Sequence, residues 1–141
     1  IVRPCHCYGP TMTATDSRAV SQFFRKVLND EDIVLKSDGT LERSHCYVTD
    51  AVMAMYYVLL NGENGGAYNI ADQASQALAS LIAGAKNKKV VFDLPDEQEK
   101  KGFSKVVKAV LDGQKLEHLG WKPQVHLEEG VECTLRILEN I

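Results

Sequence analysis

The sequence has no apolar run close to the roughly 20 residues that cross a bilayer, and no signal peptide precedes Arg3, so the expectation is a cytoplasmic protein without a membrane span. Cysteine is sparse: four in 141 residues, with Cys5 and Cys7 one residue apart. That is too few for the dense disulfide framework of a small secreted domain, and reduced thiols are expected. Excess charge is missing too. A net charge of −3 offers no global attraction to nucleic acid or anionic lipid, although a local basic cluster could still hold a phosphate. There is no internal repeat, no low-complexity segment and no initiator methionine. Because Ile1-Val2 leads straight into an apolar run, the expectation is a piece of a longer protein, cut off from its natural start.

What is present fits one globular domain of the α/β class. Ile1 to Tyr8 reads as one strand, with Cys5 and Cys7 on one face and His6 on the other, ended by Gly9-Pro10. Asp16 or Ser17 is expected to cap a helix carrying Val20, Phe23, Phe24, Val27 and Leu28 at i, i+3, i+4, i+7, i+8. Ile33–Lys36 and Leu41–Val48 are expected to pair as a hairpin across Ser37-Asp38-Gly39-Thr40. A second helix, capped by Thr49 or Asp50, puts Val52, Met55, Tyr56 and Leu59 on its core face and stops at Asn61-Gly62. A strand at Ala67–Ile70, a helix through Leu78, Leu81, Ile82 and Ala85, and a strand at Lys88–Leu94 follow. Pro95–Gly102 reads as a charged loop, Asp112–Leu119 as a short helix stopped by Gly120, and Leu127–Leu138 as the last helix.

Three kinds of chemistry compete for the polar residues. Cys5, Cys7 and Cys46 with His45 could make a tetrahedral zinc set, but C-x-C within a strand is the wrong local spacing, and buried free thiols are the stronger reading. A Cys-His nucleophile is poor geometry, because sequence neighbours on a strand face opposite ways. Phosphate binding is better supported. A core-directed Arg43 would need an anion to offset its desolvation, whereas the plain alternative is a surface arginine paired with Glu42. Asp50 and Trp121 read as structural.

Four segments stand in a telling order: "RPCHCYGP" at 3–10, "DGTLERSHCYVTDAVMA" at 38–54, "GGAYNIAD" at 65–72 and "LDGQKLEHLGWKP" at 111–123. Together they resemble the second half of an extended short-chain dehydrogenase/reductase, the NAD-dependent nucleotide-sugar epimerases, dehydratases and decarboxylases. The resemblance implies an α/β fold made of the last Rossmann-sheet strands plus the small mixed α/β substrate-binding domain. Residues 1–141 would be that sugar-nucleotide-binding portion, with the NAD-binding Rossmann portion absent. Neither the family's Gly-rich turn nor its Tyr-x-x-x-Lys pair occurs in the 141 residues.

Carried over position by position, the resemblance implies Pro4 and Cys5 at the nicotinamide of NAD, with His6 where the family usually has an Asn that reaches the sugar-phosphate. It implies Ala19, Val20, Val34 and Lys36 near the base, Arg43 on the diphosphate, and Lys108 where a second phosphate-binding arginine is common. No catalytic residue and no metal ligand is assigned. The expected substrate is a UDP- or dTDP-sugar processed through a keto-sugar intermediate, without nucleic acid or membrane partners, and the intact parent is expected to be a homodimer. The chain alone is expected to be inactive and not to bind NAD tightly. A stand-alone nucleotide- or sugar-binding module and a Cys/His metal-binding domain remain as alternatives.

Overall fold

The computed structural model describes residues 1–72, 74–75, 78–96 and 106–140. It is an α/β arrangement in which short parallel strand pairs are covered by helices. The expected first strand divides at Cys5 into β1 (Val2–Pro4) and β2 (His6–Tyr8). β1 pairs in parallel with β5 (Tyr68–Ile70), and the Cys5 N–H donates to the Ile70 carbonyl at 2.9 Å. β2 then pairs in parallel with β4 (Glu42–Tyr47), in the register His6↔His45, Cys7↔Cys46 and Tyr8↔Tyr47. Pro4 has no N–H to offer, so the chain changes partner next to the residue that costs the ladder least.

The expected hairpin does not form. β3 (Ile33–Leu35) pairs in parallel with β7 (Val90–Phe92), while β4 takes β2 in parallel, β8 (Lys108–Ala109) in parallel and β6 (Ala74–Ser75) antiparallel. The Asp38-Gly39 turn is real. Gly39 sits at φ 80, and Asp38 Oδ1 accepts from the backbone N–H (3.0 Å) and hydroxyl (2.6 Å) of Thr40. A turn alone does not pair the strands that flank it when each has a longer-range parallel partner.

Helices α1 (Ala19–Leu28), α3 (Leu78–Gly84) and α5 (Leu127–Leu138) pack into one apolar cluster with Tyr8, Ile33 and Tyr47. On α1, Val20, Phe24 and Val27 turn inward as the 3.6-residue spacing expects. Its cap does not. The helix begins after Arg18 with no side-chain cap, and Asp16 instead binds the Arg18 guanidinium and the Ser21 hydroxyl. A second cluster unites Cys46, Tyr68 and Ile70 with α2 (Val48–Asn61), α4 (Gln114–Leu119) and Trp121. Strand alternation separates the two clusters: Tyr8 and Tyr47 enter the first, while Cys7 and Cys46 enter the second.

Helix α2 reverses the expected face. Its buried residues are Asp50, Ala51 and Ala54, whereas Val52 is 44% exposed, Tyr56 58% and Leu59 77%. Small side chains let the helix approach the strands closely, and the larger apolar residues line its outward side. Neither Thr49 nor Asp50 is its cap. The helix starts at Val48, and buried Asp50 accepts at Oδ2 from the backbone N–H groups of Gln124 and Val125, both at 2.9 Å. The expected charged loop at Pro95–Gly102 lies outside the described residues from 97 onward.

Candidate functional site

Parallel register puts His6 and His45 side by side on the face of β2 and β4 that also carries Tyr8 and Tyr47, and Arg43 follows on that face by strand alternation. Against this face lie the first turns of α1 and α3. Between them opens a cavity of about 370 Å³, whose lining combines the polar side chains of His6, Arg18, Arg43 and His45 with apolar groups that include Val20, Phe23, Leu35 and Leu78. No carboxylate lines it among the described residues. Of the sequence-predicted residues, His6, Ala19, Val20 and Arg43 meet here.

Arg43 is not paired with the Glu42 carboxylate. Its Nη1 donates to the backbone carbonyls of Glu42 (2.9 Å) and Val107 (3.0 Å), and its Nη2 to that of Val106 (2.7 Å). Carbonyls fix the guanidinium without neutralising it, so its charge stays available to an anion. Glu42 instead takes Lys108 at 3.0 Å, as their register in β4 and β8 requires. Lys108 thereby lies off the cavity. So do Val34, which is exposed, and Lys36, which pairs with Asp93; their neighbours Leu35 and Ser37 line the cavity in their place. Arg18 is engaged by the Asp16 carboxylate at 2.6 Å and donates to the Cys7 carbonyl at 3.1 Å, so it contributes less free charge than Arg43.

His45 is 9% exposed, and its Nδ1 has no hydrogen-bond partner, the one such buried side-chain polar atom among the described residues. Burial, aided by the neighbouring His6, pushes its pKa down to about 4, so the ring is neutral at pH 7. The ring centroids of the two histidines lie 5.9 Å apart. Sequence reasoning passed over His45 as a cavity residue, although its i, i+2 spacing from Arg43 in a strand carried the signal.

Pro4 and Cys5 belong to a second opening, about 300 Å³, shared with His6, Arg18, Ala109 and Leu111. It lies beyond the carboxyl end of β1, where open parallel sheets receive ligands. The neighbouring Cys46 thiol lowers the Cys5 pKa against the opposing effect of burial, while burial raises that of Cys7. Among the described residues, no three of His, Cys, Asp and Glu converge as a metal-ligand set. No helix of the structure is long and apolar enough to cross a membrane, among the described residues.

Residues 1–71 match the family model described as "NAD dependent epimerase/dehydratase family". UDP-glucuronic acid decarboxylase 6 of Arabidopsis thaliana is 33% identical over 140 residues, which take in 93% of this chain and 38% of that protein. The dTDP-D-glucose 4,6-dehydratase of Mus musculus is 26% identical over 142 residues, covering 96% and 39%. The UDP-glucose 4-epimerase of Thermotoga maritima, solved with UDP-glucose, superposes with a TM-score of 0.78 at 28% identity over 99% of this chain and 45% of that one. The chain thus spans less than half the length of these relatives.

Proposed function

Since the chain belongs to the NAD dependent epimerase/dehydratase family, we propose that it is the nucleotide-sugar-binding part of an enzyme that converts an NDP-sugar through a keto-sugar intermediate. The observation that carries this reading is the mixed lining of the cavity. Arg43, with no carboxylate partner among the described residues, and two imidazoles share it with the apolar side chains of Val20, Phe23, Leu35 and Leu78. A nucleoside diphosphate has the complementary make-up: anionic oxygens for the arginine fork and a flat base for the apolar wall. The relatives named for UDP-glucuronic acid, UDP-glucose and dTDP-D-glucose favour a UDP- or dTDP-sugar.

NAD supplies the hydride acceptor in this reading. The residues present fit one edge of it: Pro4 and Cys5 wall an opening outside the carboxyl end of β1 that adjoins the cavity through His6 and Arg18. No G-x-x-G-x-x-G turn and no Tyr-x-x-x-Lys pair occurs in the 141 residues, so this chain's own groups bind and orient while proton transfer falls to groups it does not contain. Lys108, Val34 and Lys36 then act at most indirectly, through the strands that carry Arg43 and Leu35. The intact enzyme is a homodimer in this reading, acts in the cytoplasm and takes no nucleic-acid partner.

Calorimetric titration tests the proposal. UDP should bind the chain, and Arg43→Ala should weaken it by roughly tenfold to a hundredfold, the worth of a charge-assisted contact, with Arg43→Lys intermediate because the fork is lost. NAD should bind far more weakly than UDP. A chain that ignores UDP, or whose UDP affinity is indifferent to Arg43 with the fold intact, overturns the site; submicromolar NAD binding overturns the division of labour.

A further inference from the structure

Of the four histidines in the chain, two are register partners in this cavity, and one of them holds a buried nitrogen, Nδ1, without a hydrogen-bond partner among the described residues. A buried polar atom without a partner is a standing cost, and a phenyl ring would fill the same space without it. His45 is nine-tenths buried, its ring lines the cavity beside Arg43 and His6, and among the described residues no acidic side chain lines the cavity to take the free nitrogen.

We propose that His45 is a specificity-determining residue that hydrogen-bonds an oxygen of the bound nucleotide sugar, a phosphate oxygen or a sugar hydroxyl. The inference rests on the nucleotide-sugar reading of the cavity and adds to it the group that discriminates among such ligands. A half-turn about χ2 exchanges the two edges of the imidazole, so either can face the ligand. The neutral ring carries a donor at one nitrogen and an acceptor at the other, so the nitrogen turned to the ligand can donate to a phosphate oxygen or pair with a hydroxyl in either role. His6 faces the cavity from the neighbouring strand, its ring 5.9 Å away, so one oxygen placed between the rings meets both. A site built to hydrogen-bond an oxygen discriminates against ligands lacking it more strongly than an apolar pocket does.

The test compares wild type, His45→Phe and His45→Gln by calorimetry with UDP and with UDP-glucose, the fold of each checked by circular dichroism. His45→Phe keeps a ring of similar shape and should cost about tenfold or more in affinity, with His45→Gln recovering part of the loss. An equal loss for both ligands assigns the contact to a phosphate oxygen; a loss confined to UDP-glucose assigns it to a sugar hydroxyl. The imidazole nitrogen resonances of His45, followed by long-range proton–nitrogen correlation, should move on saturation with UDP-glucose. A purely structural histidine would leave them in place. Unchanged affinities with unmoved resonances, while Arg43→Ala still weakens UDP, overturn this inference alone. Absence of any binding to wild type overturns it together with the reading of the cavity. Where His45→Phe does not fold, the resonances of the wild-type ring decide.

Discussion

The Tyr8 hydroxyl fills the space that a side chain at Gly130 would occupy: a Cβ there would overlap the Tyr8 oxygen and meet Tyr47 Cδ2 at 3.0 Å. The same hydroxyl donates to the Leu127 carbonyl at 3.2 Å, so the strand β2 is tied to the first turn of α5 through one phenol. Gly130→Ala should therefore destabilise the chain by about 1–3 kcal/mol, because overpacking outweighs the roughly 1 kcal/mol that alanine gains in a helix. Gly84→Ala, with nothing within 4 Å, should be neutral or slightly stabilising. Urea denaturation of the two variants checks the pair; equal midpoints would dismiss the close approach.

Asp50 gives a second stability test. Its carboxylate caps two backbone N–H groups, those of Gln124 and Val125, about 75 residues away, and thereby fixes the approach to α5. Asp50→Ala should cost about 1–3 kcal/mol, since both donors lose their partner in a part-buried setting. Thermal unfolding reports it, and a change within about 0.5 kcal/mol would reduce the residue to a surface charge.

Acid should weaken the fold in a definite window. His45 is held to about 4 against an ordinary 6.5, so between those values the unfolded chain binds the proton and the folded one resists it. Stability is complete above pH 6.5 and falls as pH drops toward 4, by roughly 3 kcal/mol for this one group. Asp16 and Asp38 are held below the usual carboxylate range by Arg18 and Thr40 and surrender their contribution only at lower pH. Midpoints measured from pH 7 to 4 should decline in wild type and flatten in His45→Phe; parallel curves would refute the assignment.

The outward side of α2 predicts self-association. Val52, Met53, Met55, Tyr56, Leu59 and Leu60 are all exposed on one helix, more contiguous apolar surface than a solitary soluble chain usually shows. Light scattering should find association that rises with concentration and subsides in Leu59→Lys; a strictly monomeric wild type at high concentration would speak against a sticky face.

The elements most legible in the sequence were those whose signal is local. Leu127–Leu138 is the last helix to the residue, because its apolar spacing and the Gly120 stop before it need no distant partner. The hairpin misled for the opposite reason: Asp38-Gly39 predicts a turn, but only long-range pairing chooses which strands join, and β3 and β4 each found parallel partners. The α2 face misled because a hydrophobic stripe does not tell which of two apolar sides meets the sheet; Ala51 and Ala54 did, and the larger residues stayed outside. His6, Ala19, Val20 and Arg43 do share one cavity, whereas Val34 and Lys108 fall on strand positions of the wrong parity or register and Lys36, just past β3, pairs with Asp93.

The three carbonyls that hold Arg43 bear on the thermodynamics of recognition. A free arginine must surrender its rotamers when it grips an anion, a loss of about 0.5–1.5 kcal/mol for a long side chain. Here the Glu42, Val106 and Val107 carbonyls have already confined the guanidinium. That loss is incurred when the chain folds and not when the ligand arrives, so the encounter meets a cation preorganised at the cavity wall.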